Sequence, residues 1–222
     1  MTGLRSYSDP CGIARALDQV GERWALLVVR ELLLGPKRFT DLRAGLPNAS
    51  PNVLSQRLRE LEDSGAIQRR QLPPPAGSTV YELTAWGREL QPVIDALARW
   101  GSRSPQLPPG DLSPDALMIA LQTTFDPAAA MGLTGRFEIR IDDDRFSVQV
   151  ARQRLTVGRA HVEGADATIT ASAAALRQVI FGGRSLARAK QANQLSVEGD
   201  TKLAAKLLAA FPRPVPASMS ER

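Results

Sequence analysis

The sequence predicts an α+β protein in two domains, an N-terminal winged helix-turn-helix and a C-terminal α/β sandwich. Three observations predict it. Residues 1–101 carry four helical apolar patterns, two short strand patterns and a last helical one, which is winged-helix organisation. Residues 102–113 with Pro114 read SRSPQLPPGDLSP, and four prolines, one glycine and three serines mark a linker. Residues 114–222 mix alternating strand patterns with helical ones.

The first domain can be read element by element. Asp9-Pro10 has the form of a helix cap followed by proline at the first helical position. Ile13, Ala14, Leu17 and Val20 then share one face, and Gly21 ends the helix. Residues 24–34 form a second, more deeply buried helix stopped by Gly35-Pro36. A short third helix begins at 39–43 and is closed by Gly45 and Pro47, with Phe39, Leu42 and Leu46 placed to pack on the second. Ser50-Pro51 repeats the cap-plus-proline start and opens a fourth helix that reaches Ser64-Gly65. Its positions Leu54, Leu58 and Leu61 define a core face. Strands follow at 67–72 and 79–83 around PPPAGS (73–78), a stiff extended hairpin tip. One helix from Thr84 to about Trp100 completes the domain, with Leu90, Val93, Ile94, Leu97 and Trp100 on one face.

Composition excludes several function classes. No run approaches the roughly 18 apolar residues of a membrane span, so no membrane partner is expected. Met1–Pro10 has no apolar core for a secretory signal, and the lone Cys11 suits a reducing, cytoplasmic setting. With one cysteine and one histidine (His161), no metal site or cofactor is expected. Without a nucleophile motif or a phosphate-cradling glycine loop, the chain is not expected to be an enzyme. The net charge of +5 is spread over both halves, +2 in 1–101 and +3 in 102–222, so a nucleic-acid reading must rest on local pattern.

That pattern lies on the fourth helix. Opposite its leucines, Asn52, Ser55, Gln56 and Arg59 form a polar stripe. Amides and guanidinium groups are the side chains that read purines in the major groove, and a recognition helix aims its N-terminal part there. Residues 37–70 carry seven Lys/Arg against four acids. Arg38, just before the third helix, and Ser50, just before the fourth, are further DNA candidates. Arg69 and Arg70, on the first wing strand, are either phosphate contacts or a solvated strand face.

Cys11, the run GERWALLVVRELLLGPKRFTDLRAGLPNASPNVLSQRLRELEDSGAIQRR and YELTAWGRELQPVIDALARWG resemble the HxlR family of winged-helix regulators over residues 10–101. Trp24, Arg38-Phe39, VLSQRLRELEDSG and YELT-x-x-G carry the likeness. It implies a homodimer that binds double-stranded operator DNA, with Asn52, Ser55, Gln56 and Arg59 on the recognition helix and Arg69, Arg70 and 73–78 on the wing. Cys11, near a helix start, is either an oxidant sensor or a small residue at the dimer interface.

In the second domain, Phe137, Ile139 and Ile141 alternate before Asp142-Asp143-Asp144, and Phe146, Val148 and Val150 after it, an antiparallel hairpin with a polar turn. Strands follow at 154–157 and 167–170, a helix from Ser172 to Gly182-Gly183, a strand at 195–198 and a helix at 201–210. ADATITAS, FGGRS and LSVEGDTKLAAKLLAAF resemble the sterol carrier protein type of lipid-binding domain over 114–211. The likeness implies an apolar tunnel that takes a hydrophobic small molecule, with Met118, Leu121, Phe125, Met131, Phe146, Phe181 and Phe211 either lining it or filling a core. The sequence therefore predicts a dimeric DNA-binding transcriptional regulator with a hydrophobic-ligand sensor. The alternative is a lipid carrier whose winged helix docks a protein.

Overall fold

The computed structural model of the chain describes residues 7–74, 77–105 and 110–217. It divides into two compact units, Met1–Ile94 and Asp95–Arg222. Parts of the expected hairpin tip (75–76) and linker (106–109) lie outside the described residues.

The first unit holds α1 (Gly12–Val20), α2 (Ala25–Leu32), α3 (Phe39–Gly45), α4 (Pro51–Asp63), β1 (Ile67–Gln71), β2 (Thr79–Leu83) and α5 (Ala85–Arg88). α6 (Gln91–Gly101) runs across the division. Its core is the expected one on α2 to α4: Val28, Val29, Leu32, Leu42, Leu54, Leu58 and Leu61 are all buried. β1 and β2 pair antiparallel from Ile67↔Leu83 to Gln71↔Thr79.

Two expectations are corrected. α1 starts after Cys11, not at Asp9-Pro10. Cys11 Sγ accepts the Ala14 N–H at 3.3 Å, while the Asp9 carboxylate accepts the Cys11 N–H at 2.9 Å. Of its expected apolar face, Ala14 and Val20 are buried whereas Ile13 and Leu17 are exposed. The single helix expected over 84–100 is broken into α5 and α6. Pro92 has no N–H to give the Arg88 carbonyl, and its ring clashes with a helix continuing from that residue.

The glycine of YELT-x-x-G has a packing reason. A β-carbon on Gly87 would lie 1.9 Å from the Ala66 carbonyl oxygen. Thr84 Oγ1 accepts the Gly87 N–H at 3.0 Å and donates to the Gly65 carbonyl at 2.7 Å. This motif welds the end of the wing to the turn that follows α4.

The second unit contains α7 (Pro114–Thr124), β3 (Gly135–Ile141), β4 (Asp144–Ala151), β5 (Arg154–Gly158), β6 (Ala167–Ala171), α8 (Ala173–Ile180), α9 (Leu186–Gln191), β7 (Leu195–Gly199) and α10 (Thr201–Ala209). Its sheet runs β5-β4-β3-β6-β7, antiparallel except for the parallel pair β3 and β6. Phe137, Ile139, Phe146, Val148 and Ile169 on the sheet are buried, as are Leu117, Met118, Leu176 and Leu207 on the helices. The β3–β4 turn is two residues, Asp142-Asp143, because Ile141 pairs with Asp144. Asp142 takes the left-handed conformation (φ 52°) such a turn requires. Asp144 belongs to β4 and pairs with Arg159 instead of joining the turn. Among the described residues no helix is long and apolar enough to cross a membrane.

Candidate nucleic-acid interface

α3 and α4 are placed by buried contacts with the rest of the first unit. Ser50 caps α4 by accepting the Val53 N–H at 3.4 Å, and Pro51 starts it. Lys37, just before α3, is clipped to β2: its N–H reaches the Tyr81 carbonyl at 3.0 Å, and the Tyr81 N–H returns to the Lys37 carbonyl at 2.8 Å. The Lys37 ammonium lies 2.7 Å from the fully buried Glu31 carboxylate of α2, which also meets Arg30 at 2.7 Å. A β-carbon on Gly45 would fall 2.3 Å from Glu31 Oε2, so α3 lies directly on this ion cluster. Removing one partner of such a buried pair costs about 3–5 kcal/mol.

On this frame α4 buries Leu54, Leu58 and Leu61 and turns Asn52, Gln56 and Arg59 outward, all exposed; Ser55 is half-buried. The four share one stripe at helical spacing. Gln56 Nε2 donates to Glu60 at 3.0 Å. Arg59 has no ion-pair partner among the described residues.

The basic cluster of 37–70 is thinner than its count. Arg57 is buried and pairs with Glu60 and, at 3.5 Å, with Glu22. Lys37 is held by Glu31. Arg69 grips Glu62 at 2.7–2.9 Å, and Arg70 meets Glu82 at 3.0 Å. The Arg69 hydrogen bonds hold the Glu62 carboxyl below the usual carboxylate range. Hydrogen bonds from Gln68 and Arg70 do the same for Glu82. Within 37–70 the exposed cations without an ion pair among the described residues are Arg38, Arg43 and Arg59, and they stand on or beside α3 and α4. Arg43 was not among the residues singled out in the sequence. Its position in the last turn of a seven-residue helix was the available signal.

Cys11 is exposed at the α1 cap. α1 and α5 border a cleft of about 450 Å³ lined by Ala16, Val20, Trp86 and Leu90 among others. In the second unit Met118, Leu121, Phe146 and Phe211 are buried, Phe125 and Phe181 are half-buried, and Met131 is 75 % exposed. Phe125 and Phe211 stack at a tilt, 5.9 Å between ring centres. Among the described residues no three His, Cys, Asp or Glu side chains cluster as metal ligands.

Comparison with known proteins separates the halves. Residues 19–107 match the HxlR-like helix-turn-helix family, and residues 109–217 match the alkyl sulfatase C-terminal family. The HTH-type transcriptional regulator YvaP of Bacillus subtilis is 39 % identical over 88 residues, which are 40 % of this chain and 82 % of that protein. The regulator sll1512 of Synechocystis is 41 % identical over 92 residues, 41 % and 68 % of the two chains. The crystal structure of the regulator ytcD is 33 % identical, covers 41 % of this chain and 94 % of its own, and aligns with a TM-score of 0.39. A structure of the sec-alkyl sulfatase PisA1 is 19 % identical with a TM-score of 0.41, and this chain spans 16 % of that protein. Through its first half, the chain belongs to the HxlR-like helix-turn-helix family.

Proposed function

We propose that the protein is a transcriptional regulator that lays α4 in the major groove of operator DNA. The observation that carries this reading is the stripe of Asn52, Gln56 and Arg59, exposed and backed by three buried leucines. Asn52, Ser55, Gln56 and Arg59 read base edges, and Arg38, Ser50, Arg69 and Arg70 hold phosphates. Arg69 and Arg70 must first exchange their glutamate partners for phosphate. Selection of bound fragments from genomic DNA, followed by titration at rising salt, tests the reading. A regulator binds the selected fragments several orders of magnitude more tightly than bulk DNA. Equal affinity for both would overturn it.

The working form is a two-fold dimer. α1 exposes Ile13 and Leu17, and α6 exposes Val93 (47 %), Leu97 (46 %) and Trp100 (80 %). Covering such side chains is the ordinary reason for a symmetric partner. A dimer presents two recognition helices about 34–36 Å apart, one turn of DNA.

The second unit, with its sterol-carrier-like pattern, binds a hydrophobic small molecule among Met118, Leu121, Phe125, Phe146, Phe181 and Phe211. Met131, 75 % exposed, is at most at the mouth. Ligand and operator affinities are coupled, by about 5–150-fold in a typical case, and reciprocally. Titrating operator with and without a co-purifying ligand measures the factor.

A further inference from the structure

The charge of the second unit is sharply segregated. Residues 110–171 carry six Lys/Arg against nine acids, a net of −3, whereas residues 172–213 carry seven against two, a net of +5. In the first stretch acids outnumber cations and take up two of them: Arg140 meets Glu138, and Arg159 meets Asp115 and Asp144, while Arg145, Arg152 and Arg154 are exposed amid an acidic excess. In the second no cation has an acid partner among the described residues. Arg184 bonds the neutral Gln194 side chain and Arg177 the Gly110 carbonyl at 3.0 Å. Arg188, Lys190, Lys202 and Lys206 are exposed and have no ion-pair partner among the described residues. Of the two acids, Asp200 is occupied in capping α10, accepting the N–H groups of Lys202 and Leu203 at 2.8 and 2.9 Å.

These cations belong to one rim of the unit. α9 and α10 both pack against the edge strand β7, and α8 packs against both helices. On α10, Ala204, Leu207 and Leu208 face inward while Lys202 and Lys206, one turn apart, face out. On α9, Ala189 is buried between the exposed Arg188 and Lys190.

We infer that this rim is a second contact for duplex DNA, one that grips the phosphate backbone without reading bases. The inference rests on the DNA-binding reading above and extends it to the half of the chain without a recognition helix. The chemistry around the cations favours phosphate over a lipid surface. The exposed neighbours are Ala187, Gln191, Asn193, Ala205 and Ala209, and no large apolar side chain of 172–213 is exposed. A membrane-seeking helix sets exposed aromatic or leucine side chains beside its cations, whereas the nearest leucines here, Leu186 and Leu203, are half-buried. Amines and guanidinium groups among small polar residues suit a phosphate backbone, where each contact releases a counterion. Because the rim is covalently joined to the reader, even millimolar intrinsic affinity acts at high effective concentration.

The test uses the full chain and fluorescence anisotropy on a mixed-sequence duplex of about 40 base pairs at several salt concentrations. Replacing Arg188, Lys190, Lys202 and Lys206 together by Ala flattens the slope of log affinity against log salt by about two to four. The variant with R188K, K190R, K202R and K206R keeps the wild-type slope. Lys190→Ala and Lys206→Ala alone each lower it by about one, and they cover the case in which the fourfold variant fails to fold. Wild-type binding with an unchanged slope in all three alanine variants overturns the inference and leaves the reading of α4 standing. A wild-type chain that binds no duplex at all overturns both. Loss of binding to phosphatidylserine vesicles with an unchanged DNA slope also overturns it, and assigns the rim to membranes.

Discussion

Arg69 of β1 holds Glu62 of α4 through Nε and one terminal nitrogen, at 2.7–2.9 Å, and its guanidinium also lies 6.0 Å from the Tyr81 ring centre. The wing is thereby tied to the C-terminal part of α4 by a cation that a phosphate would also attract. Arg69 and Arg70 are exposed, but each is paired with a glutamate.

Glu62→Gln removes that competitor. Arg69 then becomes available to phosphate, and the salt slope for DNA binding steepens by about one while sequence preference is unchanged. The opposite change, Arg70→Ala, weakens all sequences alike and lowers the slope by about one. Anisotropy titrations at several salt concentrations measure both.

Gly87→Ala drives a methyl group into the Ala66 carbonyl, 1.9 Å away, where only backbone can yield. Overpacking of this kind costs about 1–3 kcal/mol. The melting temperature of the first unit falls, whereas Gly12→Ala, with open space around the new methyl, leaves it nearly unchanged.

Glu138 sets an acid limit on the second unit. Burial of its carboxyl raises its pKa, but the Val162 N–H at 2.7 Å, the Arg140 guanidinium at 2.5 Å and the His161 ring outweigh that, and it falls from 4.5 to about 2. A carboxyl depressed in the folded state stabilises above its unfolded value and loses that contribution as pH falls through the folded one. The contribution, about 3 kcal/mol at neutral pH, therefore disappears between about pH 5 and pH 2. Thermal melts of the second unit decline steeply over that window, and Glu138→Gln lowers stability at neutral pH and flattens the decline.

Leu97→Asp places a charge on the exposed apolar face of α6. If the proposed dimer is built on this face, sedimentation of the variant should give a monomer at micromolar concentration where the wild type gives a dimer, and operator affinity should fall with it. A variant that stays dimeric places the interface elsewhere.

Elements with punctuation at both ends were legible in the sequence. Ser50-Pro51 and Ser64-Gly65 frame α4 within a residue or two, and its leucine spacing gives the buried face. The expected single helix over 84–100 went wrong because the apolar spacing continues through Pro92, whose missing N–H periodicity does not register. α7 was hidden by Ser113-Pro114, which reads equally as linker and as helix cap, and α9 is too short at six residues for a periodic signal. At the interface the stripe on α4 was visible. What pairing does to the cations was not, because Glu62 and Arg69 are neighbours only once the wing folds back. Arg57 counts as surface charge in the sequence but is buried on Glu22 and Glu60 in the fold.

The central claim is that α4 reads DNA sequence, and the affinity ratio between a selected genomic fragment and scrambled DNA tests it most directly, for wild type and Arg59→Ala. Arg59 is exposed on the stripe and free of ion pairs among the described residues, so its loss removes base contacts without disturbing the core. The account predicts that Arg59→Ala lowers fragment affinity by about 5–150-fold, the equivalent of about 1–3 kcal/mol. Affinity for scrambled DNA should fall far less, and the ratio should therefore collapse. An unchanged ratio in Arg59→Ala, and likewise in Gln56→Ala, would contradict the account.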